Sequence, residues 1–165
     1  MVCGRGPSIS SVDFKSWNGE IWMLAHCLVD EIKPTRVYEV HAPPWDWGGP
    51  CYIDRLVALG GRLWLRQRHG GLPYANVMPI DAIVALARAY LCSSPAYLIG
   101  HAILARPRVL AVVGIDYEAP REMMLLQRGS VEWLCGVAVG MGIDLVVPDT
   151  SPLLKGGELY GTAKE

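Results

Sequence analysis

The 165-residue sequence predicts an α/β fold, with a mostly parallel β-sheet and helices on both of its faces. Short apolar runs rich in β-branched residues alternate with segments of helical spacing, which is typical of repeated strand–helix units. The clearest strand is VLAVVG, from Val109 to Gly114, because a continuously apolar strand suits a parallel sheet that is covered on both sides. The length favours one domain over residues 1–165, with a partly irregular tail from about residue 150.

The other strands are predicted from shorter apolar runs, which gives a sheet of about five or six strands. The segment from Glu20 to Ala25 is ambiguous, because it could also begin an amphipathic helix that continues to Ile32. We favour a strand there, since an Asn-Gly breaker precedes it. The remaining candidates are an N-terminal stub at 1–3, Arg36 to Val40, Leu63 to Leu65, a short segment at Val77-Met78, and Ile143 to Val147.

Helix boundaries are predicted from capping residues and helix breakers. Ser94 is the expected N-cap of the central helix, with Pro95 at its first position. Arg106-Pro107 should end that helix after about Ala105, because the residue before a proline is pushed out of the α region. The other predicted helices run from Cys51 to Leu59, from Pro79 to Leu91 and from Gly129 or Ser130 to Gly140, with a short helical turn at Ser11 to Ser16.

The composition argues against several classes of protein. Only 19% of the residues are charged and the formal net charge is −1, so nucleic-acid binding through bulk charge is not expected. Five cysteines without a CxxC pair indicate reduced thiols in a cytosol, rather than a zinc site or a disulfide framework. No apolar run approaches the roughly 18 residues of a membrane span. We therefore expect a cytoplasmic protein without a metal site and without membrane contact.

Polar residues cluster where the central helix begins and where the clearest strand ends. Ser93 and Ser94 precede the helix, while Gly114 and Asp116 follow the strand. Because ligands of open α/β sheets bind beyond the carboxyl ends of the strands, these four residues could share one crevice. The alternative is structural: Ser-Ser-Pro is also a common helix start, and Gly-Ile-Asp can be a simple turn.

Two further stretches contain candidate functional groups. In GRGPS, from Gly4 to Ser8, the glycines would let the backbone pass close to a ligand, although a tight turn is the simpler explanation. Glu39 and His41 stand at the end of a predicted strand and could form an acid/base pair, or could be a hydrogen-bonded structural pair. The loop that follows is rich in proline and tryptophan, and Trp45 to Trp47 could form an oligomer interface.

The order of several short motifs resembles that in a family of uncharacterised bacteriophage proteins, and the match spans nearly the whole chain. The shared motifs are GRGPS at Gly4 to Ser8, Glu39 with His41, SSPAY at Ser93 to Tyr97, GID at Gly114 to Asp116, Gln127-Arg128 with Glu132, GMGI at Gly140 to Ile143, and SPLLK through LYG at Ser151 to Gly161. The resemblance implies expression in the cytoplasm of a bacterial host.

More distantly, GRGPS, the SSP loop and GID are similar to the small bacterial sialyltransferases and to pterin pyrophosphokinase-like and motility-accessory domains. This resemblance implies a Rossmann-like fold that binds a nucleotide or nucleotide sugar. By position, phosphate or ribose would contact Gly4, Arg5, Gly6 and Ser8, and the nucleotide would contact Ser93 and Ser94.

The chain departs from the sialyltransferases in two places. Only the short segment 117–126 separates Asp116 from Gln127, which leaves no room for the long catalytic lid of those enzymes. The asparagine expected after their second strand is replaced here by Ala25. The resemblance therefore supports the fold and nucleotide binding more strongly than it supports catalysis.

Three functions remain open on the sequence. The first is a minimal glycosyl- or nucleotidyl-type transferase, in which Arg5, Arg128 and Lys155 neutralise phosphate. Its candidate proton-transfer or Mg²⁺-binding groups are His41, Asp116 and Glu132. The second is a non-catalytic module that binds a nucleotide, with Gly114, Gln127 and Arg128 among its ligand contacts.

The third function is a structural or host-interaction protein that oligomerises through the tryptophan-rich loop. Two enzyme classes are not expected, because neither a G-x-S-x-G nucleophile elbow nor a G-x-G-x-x-G dinucleotide motif occurs. We favour nucleotide binding, with transferase chemistry as an addition to it.

Overall fold

The strands of the sheet all run parallel, as the apolar runs in the sequence predict. The computed structural model describes residues 1–45, 49, 51–117 and 122–156. The strands are β1 (Val2–Cys3), β2 (Trp22–Leu24), β3 (Arg36–Glu39), β4 (Leu63–Leu65), β5 (Asn76–Val77), β6 (Val109–Val113) and β7 (Asp144–Val146). Their order across the sheet is β5-β4-β3-β2-β1-β6-β7. The ambiguous segment after the Asn-Gly breaker is therefore the strand β2, not a helix.

In the described part of the chain, four α-helices connect these strands together with three short 3-10 helices. The α-helices are α1 (Tyr52–Leu59), α2 (Ile80–Leu86), α3 (Ser94–Leu104) and α4 (Glu122–Gly140). The 3-10 helices are Pro7–Ser11, Ala25–Cys27 and Gly60–Arg62. No helix in the described ranges is long and apolar enough to cross a membrane.

The helices cover both faces of the sheet. Val37 and Tyr38 are neighbours in β3 and so point to opposite faces. Val37 packs in a small apolar cluster with Tyr52 and Leu56 of α1. Tyr38 packs in the main core, where α3 lies between α2 and α4. The predicted α/β fold with a Rossmann-like parallel sheet is confirmed.

The strand order reverses next to β1. From β1 the chain steps outward through β2, β3, β4 and β5, and then returns to place β6 on the other side of β1. The connections from β1 and from β6 therefore leave in opposite directions. Such a switch point is where open α/β sheets form a ligand crevice.

The start of α4 differs from the prediction. The sequence predicts that this helix begins at Gly129 or Ser130, but it begins at Glu122 and runs through both residues. Gly129 lies within the helix, where an added Cβ would lie 2.5 Å from the hydroxyl oxygen of Tyr90. The residue therefore allows a close approach between the helix and a neighbouring loop.

The tryptophans in the described part of the chain differ in exposure, and Trp17 and Trp64 are half-buried. Trp22 and Trp45 are buried, whereas the exposed fraction of Trp133 is 43%. Trp22 lies in an aromatic group with Tyr38 and His101, whose ring centroids are 5.6 Å and 5.3 Å from that of Trp22. The rest of the tryptophan-rich loop, including Trp47, lies outside the described residues, so its predicted interface role stays a prediction.

Candidate functional site

A crevice of about 740 Å³ opens at the switch point. Its walls are the residues that follow β1, β2, β3 and β6, together with the first residues of α3. Among the predicted site residues, the crevice is lined by Gly4, Arg5, Gly6, His41, Ser93, Ser94, Gly114, Asp116 and Gln127. Segments that are far apart in the chain thus meet at one edge of the sheet, as the positions of these residues at strand ends predict.

The floor of the crevice is a close contact between the ends of β1 and β6. The Gly4 amide donates to the carbonyl of Val113 at 2.8 Å, and the Gly6 amide donates to the carbonyl of Gly114 at 2.7 Å. A Cβ at Gly4 would collide with the carbonyl oxygen of Gly114. Gly114 itself has a φ of 65°, which favours glycine. The three glycines are therefore required for the contact between the strands, whether or not a ligand also approaches them.

Asp116 fastens the turn after β1 to the end of β6. Its buried carboxylate accepts hydrogen bonds from the Ser8 amide at 2.8 Å and from the Ser8 hydroxyl at 2.6 Å. The same hydroxyl accepts a hydrogen bond from the Gly114 amide at 2.8 Å. Both carboxylate oxygens are thus engaged by Ser8, which is itself fully buried. This geometry is that of a structural clamp, and it leaves Asp116 poorly suited to proton transfer.

The amino terminus of α3 forms one wall of the crevice. The N-cap is Ser93 rather than the predicted Ser94, and its side chain makes no capping hydrogen bond. Instead, the Ser93 hydroxyl accepts a hydrogen bond from the Tyr117 hydroxyl at 2.9 Å. Because burial raises the pKa of Tyr117 to about 12, this phenol keeps its proton at neutral pH. Because the phenol carries no negative charge, it does not neutralise the partial positive charge at the start of α3. That partial charge favours an anion in the crevice, as at many helix amino termini.

A cation and a buried thiol lie near the ends of β1 and β2. Arg5 is exposed and lines the crevice. His26 and Cys27 also line it. Burial lowers the pKa of His26. Glu39 raises this pKa, while His41 and Arg5 lower it, and the net shift is downward, so the His26 ring is neutral at neutral pH. Burial also raises the pKa of Cys27 to about 11, despite Arg5, so this cysteine is a thiol and not a nucleophile.

His41 is held by a buried carboxylate. Glu39 accepts hydrogen bonds from the backbone amide of His41 at 2.8 Å and from its Nδ1 at 2.6 Å. The other carboxylate oxygen accepts the hydroxyl of Tyr52, and Glu39 is only 1% exposed. Because a carboxylate only accepts hydrogen bonds, Nδ1 carries a proton and Nε2 is the basic nitrogen of the neutral ring. This orientation is typical of a general base.

Four of the sequence-predicted site residues do not line the crevice: Ser8, which is fully buried, and Arg128, Glu132 and Lys155. Arg128 donates from Nε to Glu132 at 2.7 Å, and its terminal nitrogen donates to the carbonyls of Pro152 at 2.7 Å and Lys155 at 3.0 Å. Glu132 also accepts the amide of Leu154 at 2.9 Å. The Lys155 ammonium donates to backbone carbonyls of the tail. These charges fasten the described part of the tail to α4, and none of them lines the crevice.

Two crevice residues were missed by reasoning from the sequence. His26 lies in the 3-10 helix Ala25–Cys27 that follows β2, and it lines the crevice with His41, their ring centroids 5.8 Å apart. Its position at a carboxyl strand end was the available signal. Tyr117 lies next to the recognised GID motif and has a φ of 49°, a conformation that non-glycine residues rarely adopt and that often marks functional sites.

The described residues include no cluster of three or more histidine, cysteine, aspartate or glutamate side chains that could hold a metal ion. Asp116 contributes a carboxylate to the crevice wall, and both of its oxygens accept hydrogen bonds from Ser8. Comparison of the chain with protein-family models, curated proteins and solved structures found no match. The functional inference accordingly rests on the geometry of the site, because a fold alone does not fix a function.

Proposed function

We propose that the chain binds a nucleotide or nucleotide sugar in the crevice at the carboxyl edge of the sheet. The observation that carries the proposal is the position of this crevice at the switch point between β1 and β6, with the amino terminus of α3 in its wall. Ligands of parallel α/β sheets bind at this point of the fold. The resemblance of the GRGPS, SSP and GID motifs to nucleotide-sugar transferases points to the same ligand class.

The electrostatics of the crevice suit a phosphate group. The helix dipole and the exposed Arg5 both favour a negative charge. Asp116 would oppose it, but hydrogen bonds from Ser8 satisfy that carboxylate. The crevice volume of about 740 Å³ also lies within the range of about 300–1,000 Å³ that small-molecule sites occupy.

A thermal-shift screen tests the proposal directly. The ligands are nucleoside mono-, di- and triphosphates and common nucleotide sugars, each with and without Mg²⁺. A ligand at about a hundred times its Kd should raise the stability by about 2.7 kcal/mol, which corresponds to roughly 5 to 10 °C in Tm for a domain of this size. If no ligand shifts the Tm, the proposal is wrong and the assembly alternative is favoured.

Matched variants localise the binding. Ser94→Ala and Arg5→Gln alter the wall of the crevice, and Arg5→Gln should weaken binding about tenfold or more because it removes a charge-assisted contact. Ser16→Ala and Arg62→Gln make the same chemical changes at exposed positions outside the crevice. Equal loss of binding in both pairs of variants would contradict the assignment of the site.

The geometry around His41 favours transferase chemistry as a second candidate. An acceptor hydroxyl would attack the sugar carbon of a nucleotide sugar, so that one C–O bond forms while the bond to the nucleotide breaks. His41 would take the hydroxyl proton, and the nucleotide phosphate would leave with the electron pair towards the start of α3. The hydrogen bonds that His41 donates to Glu39 support this role, because they fix the orientation of the imidazole ring.

Turnover and binding can be separated by one variant. His41→Gln removes the base and should abolish transfer or hydrolysis of the nucleotide sugar, while the Kd of the nucleotide changes less than about threefold. Release of free nucleotide measures turnover and calorimetry measures the Kd. Tight binding without turnover in the unaltered protein would instead support the non-catalytic binding module.

A further inference from the structure

A second cavity adjoins the crevice. It has a volume of about 510 Å³ and lies between α1 and the segment 25–30 that follows β2. Arg5 and His26 line both spaces, so the two cavities share a wall. On the other side, Tyr52, Arg55 and Leu59 contribute to the cavity from successive turns of α1. A ligand in the crevice and a second ligand in this cavity would therefore be neighbours.

The charged groups of this second cavity favour an anion. Arg5 and Arg55 supply two positive charges, while Asp30 supplies one negative charge from an exposed position. The Arg55 guanidinium lies over the ring of Tyr52, 5.4 Å from its centroid, which holds the cation against the cavity wall. His26 is neutral at neutral pH and adds no charge, because burial lowers its pKa.

The rest of the lining is largely apolar. Ala25 and Leu56 are buried beneath the charged rim, and Leu28 and Leu59 are half-buried. A cationic rim above an apolar floor suits a small molecule that carries one anionic group on a carbon skeleton. An inorganic anion would bind only to the cationic rim and would leave the apolar floor without a contact.

We propose that this cavity binds a second, anionic small molecule, with a carboxylate or phosphate group held by Arg55 and Arg5. The proposal rests on the proposed function, because the second ligand would be the acceptor that meets the nucleotide or nucleotide sugar. The shared Arg5 places the two ligands side by side, and the rings of His26 and His41 lie close together in the crevice wall. A guanidinium recognises both anions through paired hydrogen bonds.

Anion titrations of the full chain test the second site. Inorganic phosphate and malonate are added separately at constant ionic strength, and amide chemical shifts are followed by two-dimensional NMR. The expected result is saturable binding of one or both anions, weakened about tenfold or more in Arg55→Gln. The stronger of the two titrations identifies the anion class. Asp30→Asn should tighten binding about threefold by removing the opposing charge.

The control is Arg62→Gln, which removes an equal charge from an exposed position outside the cavity. It should bind the anions as tightly as the unaltered protein. Equal affinities in Arg55→Gln and the unaltered protein would overturn the proposal, as would equal losses in Arg55→Gln and Arg62→Gln. The gain expected for Asp30→Asn cannot be explained by misfolding.

Failure of the second site can be distinguished from failure of nucleotide binding. The best nucleotide of the thermal-shift screen is titrated into the unaltered protein and into Arg55→Gln. If both bind it equally and neither binds phosphate or malonate at this cavity, only the second site is refuted. If no nucleotide binds but the anion titrations still depend on Arg55, the crevice assignment is refuted and the anion site remains.

Discussion

Ser8 and Asp116 form two hydrogen bonds across the switch point of the sheet, although 108 residues separate them in the chain. The Ser8 hydroxyl also accepts a hydrogen bond from the Gly114 amide. Ser8, in the turn after β1, therefore both donates hydrogen bonds to the end of β6 and accepts one from it. Both side chains are buried. The crevice therefore has a rigid floor before any ligand binds, which reduces the conformational entropy that binding must overcome.

Asp116→Asn should destabilise the protein by about 2 to 3 kcal/mol. The amide has the shape of the carboxylate, but its NH₂ group faces one of the two Ser8 donors, and the charge-assisted hydrogen bonds are lost. Urea unfolding followed by circular dichroism measures the effect. Asp144→Asn, at an exposed position, is the control and should change stability by less than about 0.5 kcal/mol. Unchanged stability with lost nucleotide binding would show that Asp116 is a ligand contact instead.

Gly4→Ala should destabilise the fold by more than about 2 kcal/mol. The added methyl group would collide with the backbone carbonyl of Gly114, which cannot move without breaking the contact between β1 and β6. Gly136→Ala adds the same methyl group in α4, where nothing lies within 4 Å of the new Cβ. That control should gain about 0.5 to 1 kcal/mol from helix propensity. Similar midpoints of thermal unfolding for the two variants would contradict this reading of the strand contact.

The fold could be predicted because its signals are local and consistent. Val109 to Val113 is apolar without interruption, and proline or glycine precedes or follows most elements, so strand–helix alternation is visible along the chain. The start of α4 could not be predicted in this way. Gly129 is typical of a helix boundary in the sequence, and only the structure shows that the Tyr90 hydroxyl, from a distant loop, packs against it inside the helix.

The candidate site was predictable to the extent that it depends on topology. Residues that follow carboxyl strand ends, such as Gly4 and Gly114, meet because parallel strands end at one edge. The partners of charged side chains were not predictable. On the sequence, Arg128 could neutralise phosphate and Glu132 could transfer a proton, but the two side chains pair with each other and Arg128 also binds the tail. The orientation of His41 by Glu39 was only an alternative on the sequence, because any strand-end histidine can be structural.

Stability should fall between pH 6.5 and pH 4 because of His101. Burial, with a smaller effect of Arg36, lowers the pKa of this histidine from 6.5 to about 4 in the folded state. The unfolded chain therefore takes up a proton near pH 6.5, while the folded protein resists protonation until about pH 4. The shift corresponds to about 3 kcal/mol of stability that is present above pH 6.5 and lost as the pH falls.

His101→Gln isolates this contribution. Glutamine does not titrate and can still pair with the hydroxyl of Tyr38, which lies 3.1 Å from Nδ1 of the histidine. Urea unfolding at pH 7, 5.5 and 4 gives the difference in stability between variant and parent, in which the other titrating groups cancel. That difference should shift in favour of the variant by about 3 kcal/mol between pH 7 and pH 4. A difference that is independent of pH would mean that the pKa of His101 is the same in the folded and unfolded states, which would contradict the prediction.

Arg128→Gln should release the described part of the tail without weakening nucleotide binding. The side chain holds the carbonyls of Pro152 and Lys155 and orients Glu132, which accepts the Leu154 amide. In the unaltered protein, the tail can open locally only if the contacts of Arg128 break. Without these contacts the opening costs less free energy, so the hydrogen-exchange rate of the Leu154 amide should rise by about tenfold or more.

Arg5→Gln provides the crossed control for this prediction, because it also removes one positive charge. It should keep the exchange rate of Leu154 and lose nucleotide affinity, which is the opposite pattern. Exchange measured by mass spectrometry and Kd measured by calorimetry on both variants separate the two roles. If Arg128→Gln lowers nucleotide affinity as much as Arg5→Gln does, then Arg128 contacts the ligand and the tail must move when the nucleotide binds.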